Sequence, residues 1–290
     1  MTYKKRNTNN RKCYYYEKIE RQKTKGIFDN VIDAVFIILL EGSKREENVR
    51  KQLKEYNLHS NIIIQYNKGY KKCNKELEKQ ETNFDLLDAN YQIFETSKKM
   101  GYKNILVLED DFLITPNINK TEYVESIKKI IDKDEYNLIS LGGMFFMVGI
   151  KDINMTVPGV LTHAQAVIYS KRYFDLFMNK YYYEFKHADE FTLVDKKYLS
   201  KIPIIIQSFP ETENKKNWPK VNLYLWNILN KINNVDWDKY EGKELEYWNR
   251  YYKFFYINQL AVIILGLLLV SVSIYLIYKN KNKITKLLKK

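Results

Sequence analysis

Two cysteines and three histidines are all that this 290-residue chain offers in thiol and imidazole chemistry. Cys13 and Cys73 belong to no metal or redox motif, neither HExxH nor CxxC occurs, and His59, His163 and His187 are too scattered for a zinc site by spacing. One cysteine pair is no disulfide framework for a domain of this size, so the composition points to a reduced compartment. No internal repeat is present. The opening "MTYKKRNTNNRKCYYYEK" has no apolar stretch of the signal-peptide kind.

The body of the chain also lacks any excess of charge. The formal net charge is +13, but residues 1–25 hold nine Lys/Arg against two Glu and the last twelve residues hold six Lys. Those two ends account for the whole excess and leave residues 26–278 formally neutral. Basic and aromatic residues interleave only in "RKCYYYEK", which is short and unpatterned, so no nucleic-acid partner is expected.

What is present is apolar. Hydrophobic residues make up 45% and aromatics 15%, enough to build a sizeable core. Leu260 to Tyr278, "LAVIILGLLLVSVSIYLIY", carries no charge and is bracketed by "YYKFFY" and "KNKNKITKLLKK". Its length and interfacial aromatics predict a single C-terminal transmembrane helix. The lysines after it favour a cytoplasmic tail and hence a lumenal or external domain; the lack of an apolar leader favours a tail-anchored chain with its domain in the cytosol, the arrangement preferred from sequence.

Between the basic ends the pattern is that of an α/β domain. "AVFIILL" (Ala34 to Leu40) and "NIIIQYN" (Asn61 to Asn67) have the length and composition of buried strands, with Val49, Leu53 and Tyr56 at helical spacing between them. A second helix is expected to start near Asp85, bury Leu86, Ile93 and Phe94, and stop at Gly101. "NILVLEDD" follows as a strand, then "YNLISLGG", "THAQAVIYS", a helix from about Lys171 to Asn179, and "IPIIIQSF". Alternation of this kind predicts one α/β domain with a largely parallel sheet over residues 26–235, behind a basic tail (1–25) and ahead of a linker or stalk (236–259), the membrane helix (260–278) and a basic tail (279–290).

Chemistry concentrates at the end of one strand, where Glu109, Asp110 and Asp111 follow four apolar residues. Ligands of parallel α/β sheets sit outside the carboxyl ends of the strands. Strand alternation would send Glu109 and Asp111 to one side and Asp110 to the other, so that an E-x-D pair meets a hard cation such as Mg²⁺ or Mn²⁺. The plainer reading is a polar turn.

In order along the chain, "VFIILLEGSKREENVRKQL", "YKNILVLEDDF", "LISLGG", "HAQAVIYSKRYFDLFM", "ADEF" and "PIIIQSFPETENKKNW" resemble the segments of glycosyltransferase family 25, from about Val35 to Trp218. The resemblance implies a GT-A (Rossmann-like) fold and transfer of a hexose from a nucleotide sugar, a UDP-sugar by family, to a glycan or protein acceptor with inversion. It assigns Glu109, Asp110 and Asp111 to a divalent metal, Mn²⁺ or Mg²⁺, that bridges the donor's phosphates. Ser43, Arg45, Asn90, Gly143, His163 and Gln207 become donor-site candidates, with Asp189 or else Glu190 as the catalytic base. The sequence departs from the family at "DLLDAN", where Asn90 stands in place of a histidine, and at "EGSKRE" in the first loop. A catalytically inactive, membrane-tethered binding or scaffold protein is the alternative. A Mg²⁺-dependent phosphohydrolase or nucleotidyltransferase lacks a second carboxylate motif.

Overall fold

A computed structural model describes residues 8–19, 25–162, 165–187, 190, 194–208, 244–253 and 256, with single positions at 264, 268, 271, 275 and 278. The chain divides into two compact units, Met1–Asn249 and Arg250–Lys290. Within the first unit, the described residues form a nine-stranded sheet and a small two-stranded one.

The sheet grows from strands whose apolar runs bury both faces. β2 (Ala34–Leu40) pairs in parallel with β3 (Ile62–Asn67) on one side and β4 (Asn104–Glu109) on the other. β1 (Tyr14–Lys18) lies antiparallel outside β3. Beyond β4 the order continues β9 (Ala166–Ser170), β6 (Leu138–Ser140), β10 (Lys197–Ser200), β8 (Met155–Thr162) and β7 (Met144–Ile150). Six of the nine strands share a direction, and β1, β8 and β9 oppose it. The expected parallel character holds for β3-β2-β4, whereas β9 enters in reverse between β4 and β6, making the sheet mixed.

Helices cover both faces. Val35, Ile37, Leu39, Leu106, Leu108, Ala166 and Ile168 join Val49 and Leu53 of α1 (Glu46–Glu55) and Ile127, Ile130 and Ile131 of α3 (Thr121–Asp132) in one core. The small sheet, β5 (Phe112–Ile114) against β11 (Ile205–Gln207), closes this side. On the opposite face α2 (Thr82–Lys99) and α4 (Lys171–Leu176) meet through rings, Phe94 standing 5.1 Å from Tyr169 edge-on and 5.1 Å from Phe174 in a stack. A π-helical turn, Phe177–Tyr181, and the short α5 (Tyr182–Glu184) follow α4.

Several sequence expectations shift. α2 starts at Thr82, not near Asp85, and buries Leu87 where Leu86 was expected. Glu81 takes the cap position, and Asp85 turns its carboxylate to Lys75 instead. Gly101, at φ +74, ends this segment as expected, in a conformation that disfavours a side chain. "IPIIIQSF" joins the two-stranded sheet and not the main one. Most of all, Tyr14–Lys18 is no tail: the basic N-terminal segment contributes an edge strand.

Cys13, completely buried, forms a disulfide with Cys73, Cα to Cα 5.7 Å, which corrects the reduced-cysteine expectation. The sequence offers this single pair, but only the pairing of β1 with β3 at the sheet edge brings Cys13 to Cys73. The bond sits in a clasp. Lys75, buried to 1% exposure, gives its three ammonium protons to Asp85, Asn67 and the Tyr14 hydroxyl, and its Nζ stands 4.1 Å from the Tyr14 ring centroid. Tyr14 in turn donates to Asp88 at 2.6 Å. A buried ammonium with all three donors used is tolerable only because each meets an oxygen.

Residues 244–253 are helical, and the remainder of the expected stalk before 244 lies outside the described residues. No helix among the described residues is long and apolar enough to cross a membrane. The expected span Leu260–Tyr278 falls outside them except at 264, 268, 271, 275 and 278, and the tail 279–290 falls outside entirely.

Candidate active site at the ends of β2 and β4

β4 stops at Glu109, so the alternation expected to carry on to Asp111 ends one residue into the acidic run. Asp110 and Asp111 form a turn and point together at one cation, the guanidinium of Arg45 in the loop after β2. Arg45 Nη1 donates to Asp110 Oδ1 at 2.6 Å and lies 3.7 Å from Asp111 Oδ2. Asp110 thus stands with Asp111 at Arg45, where strand alternation was expected to send it to the other side, and Glu109 precedes them at the end of β4. Parallel pairing of β2 with β4 is the reason, since it sets the two post-strand loops side by side. Burial works against the Arg45 charge, but Asp110 and Asp111, with a smaller contribution from Glu109, more than offset it and raise the guanidinium pKa.

Asp111 is the unusual member. Its side chain is 5% exposed; Oδ2 accepts from Gln207 Nε2 at 2.9 Å, and Oδ1 is buried without a hydrogen-bond partner. Burial pushes this carboxyl up to about 6; Gln207 and Arg45 pull it back, while the neighbouring Asp110 adds to the rise. Its backbone carbonyl accepts from Ser208 N and Oγ at 2.8 and 2.9 Å. Trp248 Nε1 donates to the Gln207 carbonyl at 3.1 Å and so fixes the strand that presents Gln207.

The other sequence candidates divide. Ser43 sits in the same loop as Arg45, accepts from Arg45 N at 3.2 Å, and follows Gly42 at φ +74, which turns the chain from β2 into α1. Gly143 has a packing role: a Cβ there would lie 2.7 Å from the Thr162 carbonyl oxygen and 3.0 Å from Ser140 Oγ. Asn90 is buried in α2, its Nδ2 donating to the Leu86 carbonyl one turn back. Glu190, a candidate base, accepts from Lys186 N at 2.9 Å and closes a surface turn. Asp189 and His163 lie outside the described residues.

Sequence reading missed Gln165 and Ser140. Glu109 N donates to the Gln165 carbonyl at 3.1 Å, so these two residues oppose each other across β4 and β9. Gln165 is 1% exposed with neither side-chain nitrogen nor oxygen hydrogen-bonded, and Ser140, fully buried on β6, has an unpartnered Oγ. No sequence signal distinguishes them: Ser140 ends one apolar strand and Gln165 directly precedes another, where a polar residue reads as an ordinary strand boundary.

Among the described residues no group of three or more His, Cys, Asp and Glu is placed to hold a metal by itself. The donor set is two carboxylates in a turn, one with an orphaned buried oxygen. That fits a hard divalent ion that takes one or two protein carboxylates and completes its shell with water and phosphate, not an all-protein cage.

No protein-family model matches the chain, and no curated protein does. Among solved structures it is similar to a glycosyltransferase involved in glycosylation of the major capsid of PBCV-1, with 10% identity and a TM-score of 0.38, over 64% of this chain and 99% of that one. It is also similar to A197 from STIV, with 12% identity and a TM-score of 0.36, over 57% of this chain and 80% of that one. Likeness at this level adds nothing to the site, whose reading rests on its own geometry.

Proposed function

We propose that the domain is a glycosyltransferase that moves a hexose from a nucleotide sugar to a hydroxyl of a glycan or protein acceptor. The observation that carries the reading is Asp111: a buried carboxylate with an orphaned oxygen, beside Asp110 and Arg45, at the carboxyl ends of two parallel strands. Opposite charges gathered there suit a diphosphate, which Arg45 can take in its fixed fork. Asp110 and Asp111 would hold Mn²⁺ or Mg²⁺, which when bound neutralises charge on the departing diphosphate. In transfer, the acceptor oxygen attacks the anomeric carbon while the bond from that carbon to the diphosphate oxygen breaks. The hydroxyl proton passes to a carboxylate, for which Asp189 is the candidate and Glu190 the second choice, and the nucleoside diphosphate leaves. Ser43 would approach the nucleotide from the Arg45 loop; UDP is the nucleotide the family resemblance implies.

The Arg45 contacts also favour a second reading. A guanidinium already paired with both aspartates could replace the metal for good, leaving a binding or scaffold protein of transferase shape. For location, the C-terminal segment is proposed as a membrane anchor. A Cys13–Cys73 bond persists in oxidising compartments and, with the lysines of the tail, favours a domain on the external or lumenal side.

The deciding experiment uses the full chain in detergent with a panel of UDP- and GDP-sugars, in Mn²⁺ and in chelator. Metal-dependent release of nucleoside diphosphate, lost in Asp111→Ala, is the expected result. No turnover of any donor would leave the scaffold reading, and turnover untouched by the substitution would move the site elsewhere.

A further inference from the structure

The orphaned polar groups of β9 and β6 stand beside the acidic turn but take no part in it. Glu109 and Gln165 are directly opposed across an antiparallel pair, so their side chains leave the same face. Val167, two residues along β9 on that face, opposes Ser140 of β6, which puts Ser140 diagonally next to Gln165. Glu109, Gln165 and Ser140 thus form a polar row across three adjacent strands, at the end of the sheet where Arg45, Asp110 and Asp111 meet.

Burying a primary amide with both ends unsatisfied is costly, and an apolar residue would fill the space at no such cost. Its unpartnered groups are an acceptor and a donor at Gln165 and a hydroxyl at Ser140. Neighbouring sugar hydroxyls require that mixture. Across the sheet the order also has a direction: the Arg45 loop follows β2, the acidic turn follows β4, and β9 and β6 come next. A donor with its diphosphate at the acidic turn and its nucleotide toward β2 extends its glycosyl ring over β9 and β6.

We propose that Gln165, supported by Ser140, recognises hydroxyls of the donor's glycosyl group and sets which hexose is accepted. This rests on the transferase reading above and adds its sugar-selecting residues. The test compares wild type, Gln165→Met and Ser140→Ala for affinity toward UDP-glucose, UDP-galactose and UDP alone, and for thermal unfolding without ligand. Gln165→Met is expected to weaken the wild type's preferred UDP-sugar roughly 10- to 100-fold, with UDP affinity changed less than about twofold. Its unfolding midpoint is expected to be unchanged or higher, because an unsatisfied amide has been removed. Ser140→Ala, a smaller change, is expected to lose several-fold in the same sugar-specific way.

A lowered midpoint with unchanged sugar affinity would overturn the proposal and make Gln165 a structural residue paired through buried water. Equal losses for UDP-sugar and UDP would overturn it too, by assigning the amide to the nucleotide. A wild type that turns over UDP-sugars while both variants match it would refute this inference and leave the transferase standing. A wild type that binds no nucleotide sugar would bring down both.

Discussion

Asp111→Asn separates the cost of the acidic turn from its use. The folded carboxyl sits near 6 against an ordinary value of 3.8, chiefly because it is buried. A gap of about two units corresponds to ~3 kcal/mol of preference for the protonated form. The sign follows from proton binding. Below pH 4 the group is protonated in both states and imposes no penalty; between about 4 and 6 only the unfolded chain ionises, so stability falls as pH rises; above 6 the penalty is complete. The asparagine variant should therefore match wild type near pH 4 and exceed it by ~3 kcal/mol near pH 7.5. For a domain of this size that is roughly 6–12 °C in unfolding midpoint. Thermal scans from pH 4 to 8 in chelator measure this directly. Under the proposed function the same variant should also lose donor turnover, since a neutral amide would hold a divalent ion less well than a carboxylate. Equal midpoints for the variant and wild type at every pH would refute the argument, as would an advantage that grew toward low pH.

Two further outcomes test the clasp at the sheet edge. Lys75→Met strips the ammonium from the buried oxygens of Asp85 and Asn67 and should cost ~3–5 kcal/mol in urea denaturation; a loss under about 1 kcal/mol would show that the network is not buried as described. The Cys13–Cys73 bond spans a sequence separation of 60, so Cys13→Ser should cost about 4 kcal/mol by loop-closure entropy, and the native thiols should resist maleimide until a reductant is added. Rapid labelling of both cysteines in unreduced native protein would count against the bond.

Much of the scaffold is legible in order along the chain. Ala34–Leu40, Ile62–Asn67 and Asn104–Glu109 are strands where apolar runs of strand length announce them, because burial on both faces leaves little room for polar residues. Gly101 ends its segment for a local backbone reason that sequence also carries. The acidic run, Arg45 and Gln207 were likewise singled out in the sequence, as charged and amide groups at the ends of apolar runs, and the structure brings them within reach of one another. What these local signals determined is which segments are buried and where polar chemistry interrupts them. Only the tertiary structure decided who meets whom. The grouping of Asp110 with Asp111 depends on β4 ending at Glu109, and their union with Arg45 depends on two strands lying in parallel register. The reversal of β9, which brings Gln165 opposite Glu109, and the return of β1, which joins Cys13 to Cys73, are long-range pairings between segments far apart in the chain. Periodicity reports the environment along one element; it holds no record of the partner that supplies that environment.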